Sequence, residues 1–130
     1  MRIMVGYDGS KVAGDALILA RRRAKAFGAK IEVVTSMGSG TENNLKKMKA
    51  AENNLEYVQT LFGKNVIPCM THLLVRGLSP GKDLVEFAEE NNIDEIILGV
   101  RRRSKRGKLV LGSTAQYVTL NAPCPVVTVK

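Results

Sequence analysis

Tryptophan is absent from this chain, aromatic residues make up 5% of it, and it holds two cysteines and one histidine. Each scarcity excludes something. Cys69 and Cys124 are too few for a disulfide framework, and with His72 alone and no C-x-x-C pair there is no zinc pattern. Both thiols are expected to serve as small core hydrophobes in a reducing compartment. So few rings leave little on which nucleic-acid bases could stack, and no recognised nucleic-acid motif occurs. No apolar run approaches the ~18 residues of a membrane span, and the opening MRIMVGYDGS lacks a secretory pattern. Membrane insertion and export are not expected, and the cytoplasm is the expected location. Acidic residues are also scarce: twelve against twenty Lys and Arg leave a net charge of +8. That balance favours an anionic partner, whether nucleotide, nucleic acid or acidic protein, without choosing among them.

What is present is an ordinary globular composition, 45% hydrophobic and 25% charged over 130 residues, read as one domain spanning 1–130. A chain of this length buries roughly two thirds of its unfolded surface, enough for a core. The pattern alternates between strands and helices. Residues 2–7 form a short apolar run ended by Asp8-Gly9-Ser10. Ala13, Leu17, Ala20, Ala24 and Phe27 then recur on one helical face, with Ser10 placed to cap its start and Gly28 to stop it. A second strand is expected at 31–35, a loop at 36–41, and a second helix on Leu45, Met48, Ala51, Leu55, Val58 and Phe62 up to Gly63. Residues 66–75 read as a third strand closed by Arg76-Gly77. Ser79-Pro80 opens a helix with proline at its first position; Leu84, Val85 and Ala88 give its apolar face and Asn91-Asn92 its end. Residues 95–99 form the fourth strand, 100–108 a polar basic loop, Gly112 the opening of a last helix through Leu120, and 125–129 (PVVTV) the fifth strand. Such alternation predicts a parallel sheet with right-handed crossovers and helices on both faces, binding ligands beyond the carboxyl ends of its strands.

The loop after the fourth strand carries the most chemistry. Six of the ten residues 99–108 are Lys or Arg, and Gly112-Ser113-Thr114 follows at a helix start. Free backbone N–H groups, a hydroxyl and a residue without Cβ suit phosphate oxygens. Taken alone, Ser113 would serve only to cap its own helix; the six cations tip the reading towards phosphate. Gly107-Lys108 is not a P-loop, because position 102 is Arg and position 109 is Leu. There is no G-x-G-x-x-G either. Asp8 fits equally a turn-bracketing role, Arg21-Arg22-Arg23 reads as a solvated helix face, and His72 as structural.

At this point the chain resembles the universal stress protein family over essentially its whole length. The resemblance rests on Tyr7-Asp8-Gly9-Ser10 after the first strand, on Leu74-Val75-Arg76-Gly77 after the third, on a G-x-x-G-x9-G-[ST] pattern from Gly99 to Ser113, and on the closing strand from Pro125 to Val129. It implies a flavodoxin-like (adenine nucleotide alpha hydrolase-like) five-stranded parallel sheet sandwiched by four helices, in strand order 3-2-1-4-5. Carried over by position, Asp8 meets the adenine or ribose end and Val34 packs on the base. Gly99 begins the phosphate loop, and Gly112, Ser113 and Thr114 hold phosphates; beside this carry-over, Arg101, Arg102 and Arg103 would add charge-assisted contacts to phosphate. The departures are Arg102 in place of the pattern's second glycine and Lys105 where nucleotide-binding members carry glycine.

The implied function is a cytoplasmic regulatory domain that binds ATP or a related adenine nucleotide. Magnesium would enter only through phosphate oxygens. No general base is identifiable, so no catalytic residue is nominated and hydrolysis is expected to be slow or absent. A homodimer through the fifth strand is expected, since a β-branched edge with a free centre invites pairing. The alternatives are a family member that binds no nucleotide and acts as a dimer through protein contacts, with Arg102 filling the phosphate space, and a basic nucleic-acid binder.

Overall fold

The computed structural model describes residues 1–38, 40, 44–63, 67–100 and 111–130. In chain order the elements are β1 (Arg2–Gly6), α1 (Lys11–Phe27), β2 (Lys30–Ser36), α2 (Leu45–Phe62), β3 (Cys69–Leu74), α3 (Pro80–Glu90), β4 (Glu95–Gly99), α4 (Ser113–Asn121) and β5 (Val126–Val129). The five strands form one parallel sheet in the order β3-β2-β1-β4-β5, as the resemblance implied.

Alternation along the strands builds two cores. Ile3 and Val5 of β1, Ile31 and Val33 of β2 and Ile97 of β4 pack under α1 and α2. Met4, Val34, Ile96 and Leu98 point the other way, under Leu84, Phe87 and Ala88 of α3 and Val118 of α4. The central strands β1, β2 and β4 are buried on both faces, which is why they read as continuous apolar runs. α1 begins at Ser10, whose hydroxyl accepts the Ala13 N–H at 3.3 Å, and ends at Gly28 in the left-handed region, φ 65°. α3 carries Pro80 at its start and is followed by Asn92 at φ 51°, a conformation asparagine tolerates better than most residues.

Several expectations need correction. The third strand is Cys69–Leu74 where 66–75 was expected; residue 66 lies outside the described residues, Pro68 has no N–H for a ladder, and Val75 has left the sheet. Phe27 is 60% exposed rather than core, because it is the last residue of α1, where the chain turns at Gly28. It stacks instead beneath the Arg23 guanidinium, 5.6 Å from the ring centre. Leu45 is exposed too, at the first residue of α2. Arg23 does more than solvate a face. It forms a two-pronged bond to buried Glu95, with Nη2 2.7 Å from Oε2, and that bond raises the guanidinium pKa. The thiols are half-buried, and burial pushes Cys69 up to about 11 and Cys124 in the same direction, as suits packing groups.

Candidate functional site

Strand order reverses between β1 and β4, and beyond their carboxyl ends lies a cleft of about 310 Å³. Three helix starts converge on it. α1 contributes Ser10, Val12 and Ala13, α3 contributes Pro80 and Leu84, and α4 contributes Ser113, Thr114 and Ala115, with Gly112 just before it. Of the residues nominated from the sequence, Asp8, Val34, Gly99, Gly112, Ser113 and Thr114 all line this one cleft. Arg101 and Arg103 lie outside the described residues, as do Arg102, Lys105 and Gly107.

The cleft has two chemically different ends. Val34, Leu84 and Leu98 give an apolar wall backed by the α3-side core. At the other end, α4 starts from Gly112 with no side-chain cap hydrogen bond among the described residues, which leaves its first-turn amides at the positive end of the helix dipole. Ser113 is therefore not the cap that a bland reading of the sequence offers; Gly112 holds that position and the two hydroxyls stand in the first helical turn. Among the described residues a Cβ built on Gly112 would meet nothing within 4 Å, and its φ of −65° suits any residue. The packing of the described residues does not require glycine there, and a group that must approach the backbone closely would.

Gly99 is a glycine for another reason. A Cβ on it would lie 2.5 Å from the backbone carbonyl carbon and oxygen of Val12 and 2.8 Å from Ala13 N. Its bareness lets the first turn of α1 lie against the end of β4, which itself shapes the cleft. Asp8 accepts the Ser10 N–H at 2.9 Å, so it brackets the turn while lining the cleft.

The sequence reading missed the polar group at the end of β2. Ser36 lines the cleft and donates to Asp83 Oδ2 at 2.6 Å; Arg76 Nε donates to Asp83 Oδ1 at 2.6 Å. Arg76 also donates to the Asp83 carbonyl at 3.0 Å and to Glu90 at 2.9 Å. A signal was available: Asp83 stands four residues before Phe87 on the apolar face of α3, and a carboxylate there requires a cation. His72, which had no acidic neighbour in sequence, meets Glu32 across the sheet at 3.1 Å and Phe87 at 4.8 Å, away from the cleft lining. Among the described residues no three His, Cys, Asp or Glu side chains gather to hold a metal, and no helix is long and apolar enough to cross a membrane.

Comparison with known proteins matches residues 1–130 to the Universal stress protein family. A universal stress protein of Thermus aquaticus is 33% identical over 137 residues, spanning 98% of this chain and 97% of its own length. A solved universal stress protein structure from Archaeoglobus fulgidus aligns with a TM-score of 0.89 at 35% identity, covering 100% of this chain and 98% of that one. A structure of the universal stress protein of the same organism in complex with dAMP aligns at 0.84 and 31% identity, with coverage of 100% and 98%.

Proposed function

This chain belongs to the universal stress protein family, and on that premise we propose that it binds an adenine nucleotide in the cleft between β1 and β4 and uses it as a regulatory ligand. One observation carries the reading: a single cleft joins an apolar wall to the start of α4, which among the described residues has no side-chain cap and no atom within 4 Å of a Cβ at Gly112. The apolar end suits a base and the helix start suits phosphate oxygens. The dAMP complex of the Archaeoglobus fulgidus protein supports the same ligand class.

In this arrangement Val34 and Leu84 pack on adenine, and Asp8 stands at the ribose edge. Gly112, Ser113 and Thr114 receive the phosphates, and Arg101 and Arg103, outside the described residues, would add charge. ATP is the ligand proposed, because the basic loop supplies more positive charge than one phosphate needs. Magnesium, if bound, would be held by phosphate oxygens rather than by side chains. The chain is proposed not to be an enzyme. The only titratable groups among the described lining residues are Tyr7 and Asp8, and Asp8 sits at the sugar end, not beside the phosphates where a general base would act. Regulation would act through a cytoplasmic homodimer paired along β5, an outer strand of the sheet.

The test is what copurifies with the natively prepared protein. Acid extraction followed by absorbance and mass spectrometry is expected to yield near-stoichiometric adenine nucleotide; recovery of RNA, or of no ligand together with no binding in titration, would overturn the reading.

A further inference from the structure

We propose that Ser36 determines which base the cleft accepts, selecting a purine that presents an amino group over one that presents a carbonyl at the same position. The inference rests on the nucleotide reading above, with the base at the Val34 end. Its own support is a hydrogen-bond chain whose polarity has one solution.

Asp83 is 1% exposed and both its carboxyl oxygens are engaged, Oδ1 by Arg76 Nε and Oδ2 by the Ser36 hydroxyl, each at 2.6 Å. Facing a guanidinium, the carboxylate is an anion and only accepts. The single proton of Ser36 is therefore committed to Asp83. Arg76 cannot readily turn away to release it, because its other nitrogens are held by Glu90 and by the Asp83 carbonyl. On the Ser36 oxygen only lone pairs remain, and the Gly38 N–H at 3.3 Å takes one of them.

Ser36 follows Val34 by two residues on β2, so the two side chains share a face of the sheet, and both line the cleft. Towards a ligand Ser36 offers an acceptor and no donor. Adenine carries an amino group at its six position, a donor; guanine carries a carbonyl there, an acceptor, and hypoxanthine carries the same carbonyl. The amino group completes the chain Arg76–Asp83–Ser36–base. A carbonyl would set two acceptors against each other, and a site built around one polarity discriminates against the other.

The experiment is calorimetric titration of the 130-residue chain with AMP and with IMP, which differ at that position and in the proton on the neighbouring ring nitrogen, so the Ser36 and Asp83 variants assign the difference. Wild type is expected to bind AMP on the order of tenfold more tightly, the ratio set by one neutral hydrogen bond made or lost. Ser36→Ala should bring the two ligands to within about twofold by the same reasoning, and Ser36→Thr, which keeps the hydroxyl, should retain the preference. Asp83→Asn tests the polarity itself. An amide nitrogen facing Ser36 donates to it, frees the hydroxyl proton for the cleft, and should shift the ratio towards IMP; a merely structural role for Ser36 would not produce that shift. Circular dichroism establishes that each variant is folded, and should Ser36→Ala not fold, the wild-type ratio and Asp83→Asn decide. Equal binding of AMP and IMP by wild type, or a preference that survives Ser36→Ala or Asp83→Asn unchanged, overturns the role of Ser36 and leaves the nucleotide reading standing. Absence of binding to both ligands overturns the two together.

Discussion

The backbone of Val12 passes so close to Gly99 that a Cβ on Gly99 would fall 2.5 Å from the Val12 carbonyl carbon and oxygen. The start of α1 and the end of β4 thus meet backbone to backbone at the floor of the cleft, and the glycine is a packing requirement before it is anything to do with a ligand. Gly99→Ala should destabilise the fold by about 1–3 kcal/mol, the range for overpacking, and more if α1 cannot shift. Urea unfolding measures this. A midpoint equal to that of wild type would show that the contact yields without cost.

Gly112 stands in contrast, because a Cβ there meets no atom of the described residues within 4 Å. Gly112→Val should leave the thermal midpoint within a few degrees of wild type, with only a modest cost at the capping position. It should nevertheless weaken ATP binding strongly by occupying the space at the start of α4. Ser113→Ala removes one hydroxyl and should weaken ATP by about 1 kcal/mol. Unchanged ATP affinity in the folded Gly112→Val protein would remove the phosphates from this end of the cleft.

The arginine run separates ligand binding from its rivals. If Arg101, Arg102 and Arg103 grip phosphate in place of the missing glycine, affinity should rise from AMP through ADP to ATP and fall with added salt. Arg102→Gly should then leave ATP binding alone or weaken it. A clear gain of ATP binding on that substitution would mean that Arg102 plugs the site, and that the native chain works through protein contacts without nucleotide. A short RNA in the same titrations addresses the remaining alternative. Nucleic-acid binding lost on neutralising the run, with a salt slope lower by about one unit per phosphate contact, would identify a nucleic-acid surface.

The β5 edge makes a prediction about assembly. The carbonyls of Pro125 and Val129 accept from Ile96 and Val100 of the β4 side. Strand alternation therefore turns the N–H groups of Val126 and Thr128 outward. Sedimentation at tens of micromolar should give twice the 14.2 kDa chain mass. Thr128→Pro deletes one outward N–H without touching the β4 ladder and should yield a folded monomer. A wild-type monomer at that concentration would count decisively against pairing through β5.

Much of this molecule follows from its local sequence. Apolar spacing in the stretch from Ala13 to Ala24, β-branched runs at 31–35 and 95–99, and the stop at Gly28 are properties of neighbouring residues, and hydrophobic period and turn chemistry act over a few positions. The strand order, by contrast, came with the family pattern, because alternating elements alone allow more than one arrangement. Where the sequence misled, at Phe27 and Leu45, the residue kept the helical period but stood at a helix end, beyond the reach of the core. The pairs that build the site and brace the sheet join residues far apart in the chain: Arg23 with Glu95 across 72 positions, Ser36 with Asp83 across 47, and Glu32 with His72 across 40. No periodicity encodes these, since each partner is acceptable alone on its own element and becomes specific only when β2, β3 and α3, or α1 and β4, are brought together. Sequence by itself therefore determined the elements, their order and which strand ends line the cleft. Only the tertiary structure decided that Gly99 is bare to admit Val12 and that Ser36 meets the cleft with its proton already committed, because both depend on distances between backbones that packing, and not sequence position, sets.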